Sequence, residues 1–400
     1  MRTITALVLA GGVVGLVAAA AATGPRPSLD PRAPSLEVRS SAAPTSPTPA
    51  ENAIAAARAR IERNPSRAES HNELAMALAR RARETADPAF YTLATSALAD
   101  ARRLAPGNFE SDKVEVWLLL GRHEFGTAFE KAKALNKRVP DDLMTYGMLV
   151  DASVELGKYA DAEDAAQWML NMRPGTVPGL TRAAYLRELF GDIEGSLELM
   201  RMAIDRLPEK EREERAWILT HMSHLDLVAG RSDRAQQSAE GALRLFPGYH
   251  YALAALADVY DRAGDHAREA ALLEERYRAA PHPENLFRWA EALRHNGQRR
   301  ESRKHFEAFE QQARQEMNSA DNANRELALY YADYAGRPAE AVTLMEREVA
   351  GRRDVVTLDV YAWSLFKVGR RDEARRFMTE ALAVGTVEPS IRRHAELILK

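Results

Sequence analysis

The sequence predicts an all-α protein, a solenoid of tandem helix-turn-helix units, on three observations. Glycine precedes proline by a constant 17 residues in Gly157–Pro174, Gly191–Pro208, Gly230–Pro247 and Gly264–Pro281. The prolines step by 34 residues, from Pro140 to Pro174 to Pro208 and from Pro247 to Pro281. Within each step one order recurs: Leu and Ala, then Gly, Ala, Ala and Pro. A self-similar period of this length marks a helical-hairpin array.

Each recurring residue has a physical reason. Gly takes the left-handed conformation that ends the first helix. Pro ends the second, because it cannot continue a helix. Ala lets two helix backbones approach closely. The large apolar residues must bury against the next hairpin, since one repeat cannot bury its own face.

In chain order, residues 1–22 come first. Arg2 precedes an apolar run of 19 residues, Ile4 to Ala22, which ends in Ala-x-Ala choices at Ala18–Ala20 and Ala20–Ala22. This is the pattern of a secretory signal peptide. A run of that length also suffices as an uncleaved N-terminal anchor. In either case the rest of the chain is expected outside the cytoplasm, periplasmic or extracellular, held to a membrane only if residues 4–22 are retained. Residues 23–50 are rich in Pro, Ser and Ala. They have too little apolar content to offset ordering entropy and are read as a flexible tether.

The array is expected over residues 51–386. A lone helix, Asn52 to Arg63, precedes nine hairpins at 68–106, 107–140, 141–174, 175–208, 214–247, 248–281, 283–316, 322–353 and 355–386. Residues 387–400 are read as a C-terminal cap, with a helix from Ser390 to Leu399 behind Pro389. Three stretches break the period and are expected to be kinks. They are Arg83 to Pro88, the insertion Glu209 to Glu213, and the polar run Gln311 to Asn324.

The register of Tyr146, Leu149, Gly157, Tyr159, Ala162 and Pro174 resembles the tetratricopeptide repeat. So does that of Leu253, Leu256, Ala257, Tyr260, Gly264 and Pro281, and that of Leu358, Ala362, Leu365, Gly369, Ala374 and Ala381. The resemblance covers about 340 of the 400 residues. It implies a right-handed α-solenoid whose first helices line a concave groove for partner segments. In that frame the groove candidates are Trp117, Tyr185, Trp217, His224, Tyr251, Asp258, Phe287, Glu291, Tyr330 and Trp363. Aromatic residues are good low-entropy anchors, and the acids favour a partner carrying Lys or Arg. The expected ligand is a basic, partly apolar peptide held by Trp217, Tyr251, Phe287 and Glu291. Some members of the family clamp chaperone tails with Lys, Asn and Arg. Here Asn72 and Lys113 have no companion Asn at the ninth repeat position, so that ligand is not expected.

Composition excludes several classes. The net charge is -3 and the pI about 6.4, without the basic face of a nucleic-acid protein. Arg352 with Arg353 and Arg370 with Arg371 fall at turns and are too few for a nucleic-acid groove. There is no cysteine, and so no disulfide, zinc–thiolate site or cysteine nucleophile. Phosphate-binding loop, Gly-x-Ser-x-Gly elbow, His-Glu-x-x-His and calcium loop are all missing. No catalytic residue, cofactor or metal site is expected. His221 and His224, three residues apart on one helix, could share a metal with His250 as a third ligand. Two ligands are too few for a stable site, and the pair is read as ordinary surface or groove histidines. Glu209, Glu211, Glu213 and Glu214 are read as a solvated loop and helix start. The functional expectation is a non-enzymatic protein-interaction scaffold or adaptor. The alternatives are an assembly chaperone or accessory factor for envelope, pilus or secretion machinery and, from another class, a metal-dependent protein or enzyme.

Overall fold

The computed structural model describes residues 47–319 and 322–400. The export segment and most of the tether lie outside the described residues. The described residues form twenty helices and no strand. A first helix, α1 (Pro49–Arg63), is followed by α2 (Ala68–Thr85), α3 (Ala89–Leu104), α4 (Phe109–Gly121), α5 (Phe125–Arg138), α6 (Leu143–Glu155) and α7 (Tyr159–Met172). Next come α8 (Val177–Leu189), α9 (Ile193–Arg206), α10 (Arg212–Val228), α11 (Ser232–Leu245), α12 (His250–Ala263) and α13 (His266–Ala279). The chain ends with α14 (Pro283–His295), α15 (Arg299–Glu316), α16 (Asn324–Asp333), α17 (Pro338–Gly351), α18 (Val355–Lys367), α19 (Arg371–Leu382) and α20 (Pro389–Ile398).

Local chemistry sets the helix ends. Asn108, Asp142 and Asp354 accept backbone N–H bonds at the starts of α4, α6 and α18, each satisfying an otherwise orphaned donor. At the end of α12, Gly264 has φ +76°. Its N–H bonds to the Asp261 carbonyl, and the Asp265 N–H to the Tyr260 carbonyl, each at 2.9 Å. This is the paired closure that a left-handed residue makes possible. Fully buried alanines, among them Ala128, Ala162, Ala235 and Ala374, sit where the two helices of a hairpin cross.

One expected boundary moves. Residues 49 and 50 belong to α1 rather than to the tether, because Thr48 and Glu51 cap that helix reciprocally. The Thr48 hydroxyl and the Ala50 N–H also bond to the buried Glu84 carboxylate, at 2.6 and 3.0 Å.

Every helix packs against its successor. Even-numbered helices also touch the next even-numbered helix, as in α2/α4, α4/α6, α6/α8, α10/α12 and α16/α18. The even-numbered set therefore lies on the inside of the curve. These inner helices are buried nearly all round. In α18 every residue from Thr357 to Leu365 is buried, whereas α19 buries only Ala374, Phe377, Met378 and Ala381. A helix apolar on all sides must be covered on all sides.

The cover is the chain itself. The solenoid curls until its turns meet along a seam. At one end Arg83 of α2 pairs with Glu213 of α10, and the Tyr249 hydroxyl donates to Glu213 at 2.8 Å. The His250 ring bonds to the Arg83 carbonyl at 3.0 Å. Further along, Arg352 pairs with Glu155 of α6 at 2.6 Å, and the Arg353 N–H donates to the Glu155 carbonyl at 3.0 Å. A Cβ on Gly157 would lie 2.7 Å from the Arg353 carbonyl oxygen, and one on Gly191 2.7 Å from that of Gly385. His224 approaches Glu388 at 3.5 Å. One apolar core accordingly joins residues of α6 to α8 with residues of α14 to α20.

One sequence expectation is corrected here. Glu213 and Glu214 are buried, not solvated, because the insertion lengthens α10 and carries them into the seam. Arg352 falls at the turn after α17, as expected, and there pairs with Glu155 and Asp354.

Candidate functional site

Closure of the solenoid leaves a cavity of about 1260 Å³ inside its first turn. Residues of α1, α2, α4, α6, α8, α10, α12 and α14 line most of it, joined by Tyr91 of α3, Met169 of α7, Arg206 of α9 and Arg276 of α13. Met76, Val114, Trp117, Met144 and Tyr251 provide apolar wall.

Most charges on the wall are already matched. Lys113 pairs with Asp142 at 2.8 Å and Glu110 at 3.0 Å. Burial opposes the charge of Asp142, but Lys113 and the helix-capping bonds hold its pKa below the usual carboxylate value. Arg182 makes a two-pronged bond to buried Asp151, at 2.8 and 2.6 Å. Burial outweighs that partner and lifts Asp151 to about 6. Arg276 meets Glu284 at 3.1 Å.

Three wall groups keep unused acceptors, Thr176 Oγ1 among them. Glu214 is 2% exposed, and its Oε2 has no hydrogen-bond partner. Burial pushes its pKa up to about 7, against the pull of Arg83 and Arg80. His250 spends Nε2 on the Arg83 carbonyl, which requires the proton on that nitrogen and leaves Nδ1 as a lone pair. That Nδ1 is buried without a partner. Burial, helped by Arg276, lowers the His250 pKa to about 4, so the ring is neutral near pH 7. The wall thus presents three unsatisfied acceptors beside aromatic surface, together with the unpartnered Nε of Arg80 and of Arg276. At Glu214 and His250 the groups it suits are donors, above all a cationic side chain.

The ten groove candidates divide sharply. Trp117 and Tyr251 line the cavity. Tyr185, Trp217 and His224 lie together further along the inner face, around His221. Trp217 stacks on His221 at 5.5 Å, and Tyr185 meets it edge-on at 6.2 Å. His221 and His224 both converge on Glu188, at 2.7 and 3.0 Å, so a carboxylate already occupies the place a shared metal would take. Burial opposes the positive charge of His224, but Glu188 and Glu388 outweigh it and raise its pKa to about 9. His250, once a third ligand candidate, is tied to α2 instead.

The other five are interior residues, which corrects the groove expectation for them. Phe287 is fully buried between Phe306 and Phe309. Tyr330 stacks on Phe306 at 5.2 Å. The Trp363 indole N–H donates to Asp333 at 3.0 Å, and its ring stacks on His394 at 4.3 Å. Glu291 accepts the Tyr334 hydroxyl at 2.8 Å, and Asp258 is bonded to Arg288. The cause is packing within and between neighbouring hairpins, since the partners of these five residues lie on or at the ends of α14, α15, α16 and α20. Glu214 and Arg276 were missed as wall residues. The insertion at Glu209 to Glu213 was the available signal for the first.

Helices, packing and cavity together define the class, a tetratricopeptide-like array of helical hairpins. No family model matches the chain, and no curated protein does. Among solved structures, it is similar to a chain of the APC/C hetero-tetramer Cut9–Hcn1, with 13% identity over 82% of this chain and 56% of that one, at TM-score 0.47. The chain thus spans little more than half of that neighbour's length. The human IFIT1 dimer with m7Gppp-AAAA gives 12% identity over 85% and 96% of the two chains, at TM-score 0.49. PilW, a type IV pilus biogenesis factor, gives 11% over 52% and 94%, at TM-score 0.43.

Proposed function

We propose that this chain is a non-enzymatic interaction scaffold that holds a segment of a partner protein in the cavity of its first turn. The observation that carries the reading is Glu214, a buried carboxylate with an unsatisfied oxygen on the wall of a roughly peptide-sized cavity. An unpaired buried acceptor costs about 1–3 kcal/mol, and more when charged. A partner's Lys or Arg would recover that cost while its stem packs on Trp117 and Tyr251. We further propose that the scaffold works outside the cytoplasm, as an adaptor in the periplasm or at the cell surface. The apolar run at residues 4–22 supports this, and fractionation of cells expressing the full chain tests it.

A photo-crosslinking amino acid at position 117 or 251, compared with one at the outward-facing Trp168, tests the site. Trp168 is 53% exposed on α7. The expected result is a discrete adduct from both cavity positions that Glu214→Gln diminishes. Adducts from position 168 alone would move the binding surface to the outer helices.

A further inference from the structure

The turn between α12 and α13 brings together four side chains that the cavity does not use. Asp261 stands in the last turn of α12, and His266 and Glu269 in the first turns of α13. His295 is the last residue of α14. The bend at Gly264 folds Asp261 back toward His266, and packing of α13 on α14 delivers His295 from the next repeat.

We propose that Asp261, His266, Glu269 and His295 form a binding site for a divalent transition-metal ion, Zn²⁺ in the first place. Each residue offers one donor atom, and all four donors lie within 4.8 Å of one another. The His266 Nδ1 lies 2.9 Å from Glu269 Oε2 and 3.6 Å from Asp261 Oδ1. The His295 Nδ1 lies 3.4 Å from Glu269 Oε1 and 3.7 Å from Asp261 Oδ1. Zn–N and Zn–O bonds of about 2.0–2.2 Å require ligand atoms about 3.3–3.6 Å apart at the corners of a tetrahedron. The four measured separations, which involve both oxygens of Glu269, bracket that edge, and binding requires Glu269 to settle one oxygen between the two rings.

The donor set is also chemically apt. Two imidazoles with two carboxylates suit zinc and its first-row neighbours, not calcium or magnesium, which prefer oxygen throughout. The Asp261 and Glu269 side chains are only 8% and 4% exposed, whereas His266 is 31% exposed and leaves an approach from solvent. Both rings turn the same atom type, Nδ1, toward Glu269. Metal would take those lone pairs and displace the protons now shared with the carboxylate. Four protein ligands make a closed, structural site. It would staple three consecutive helices, α12 to α14, and none of its members lines the cavity.

The test uses the full chain, stripped with chelator and titrated with Zn²⁺ and with Co²⁺. The expected result is one tight equivalent of Zn²⁺ and an intense visible Co²⁺ spectrum of tetrahedral type. The thermal midpoint should rise by about 5 °C at a hundredfold excess of Zn²⁺ over Kd. His295→Gln and Glu269→Gln, each checked for native helicity by circular dichroism, should abolish the spectrum and the shift. His221→Gln should keep both. Absence of binding in the wild type would overturn the proposal and leave an ion-pair cluster. So would a Co²⁺ spectrum that survives both site variants or disappears with His221→Gln.

Discussion

The first turn of the solenoid and the turns that follow it put the same repeat to opposite uses. Around Trp117 and Tyr251 the inner face borders a cavity. Around Phe287, Tyr330 and Trp363 the equivalent face is packed solid. The repeat is not different; what covers it is. From α14 on, the inner helices share a core with α6 to α8, and aromatic side chains fill the space a partner would otherwise enter. Whether a concave residue binds or supports is therefore decided by what packs against it rather than by its position within the repeat.

The sharpest way to break this contrast is truncation of an aromatic residue on each side. Phe287→Ala should cost about 3–5 kcal/mol in chemical denaturation, as for any fully buried ring. Tyr251→Ala, at a half-buried ring on the cavity wall, should cost markedly less and act mainly on partner binding. Equal costs would mean that the cavity wall is also ordinary core.

The seam comes next. Glu213→Ala removes the buried carboxylate that Arg83 and the Tyr249 hydroxyl share and should cost about 3 kcal/mol. A solvated acidic loop in the same place would cost almost nothing. The glycines sharpen the point, because Gly157 and Gly264 occupy the same left-handed corner, at φ +68° and +76°. A Cβ at 157 meets the Arg353 carbonyl, while one at 264 meets nothing within 4 Å. Gly264→Val should cost on the order of 1 kcal/mol or more from strain alone. Gly157→Ala should exceed Gly264→Ala by about 1–2 kcal/mol, because it adds a clash across the seam to the strain.

Protonation offers a gentler lever on the same seam. Burial pushes Glu155 up to about 7 against the pull of Arg352, and His224 stands at about 9. Both folded values lie above the unfolded ones. The stability tied to each group is complete below its unfolded pKa and is lost as pH rises through the folded value. His250 runs the other way, but its contribution is complete once pH passes about 6.5. Stability should therefore fall by about 2 kcal/mol between pH 6.5 and 9.5, and His224→Gln should flatten the curve. A flat or rising wild-type curve over that window would contradict the assignment of these groups to the seam. The smallest expected effect belongs to Glu214→Gln. It should change stability by less than about 1 kcal/mol, since no partner is lost, yet weaken cavity binding.

How much of this the sequence shows depends on what kind of feature is asked for. The all-α array is legible in the glycine and proline spacing, because each residue acts locally on its own helix end. Closure is not, because it depends on residues that stand outside the period. Glu213 belongs to an insertion and Arg352 to a turn, and an isolated reading makes both solvent-facing. Phe287 and Trp363 have the right repeat position for a groove, but position cannot reveal that side chains of the neighbouring helices cover them. The cluster of Asp261, His266, Glu269 and His295 is spread over three helices. His221 and His224 share a helix face and were the visible pair, yet Glu188 stands between them.

The most direct test of closure is a double-mutant cycle on Glu155→Gln and Arg352→Met, read as unfolding free energy. These residues belong to different hairpins far apart along the array, and they meet only if the solenoid curls onto itself. A coupling of about 1 kcal/mol or more is expected from their 2.6 Å contact. Additivity within about 0.5 kcal/mol would mean that the array is open in solution.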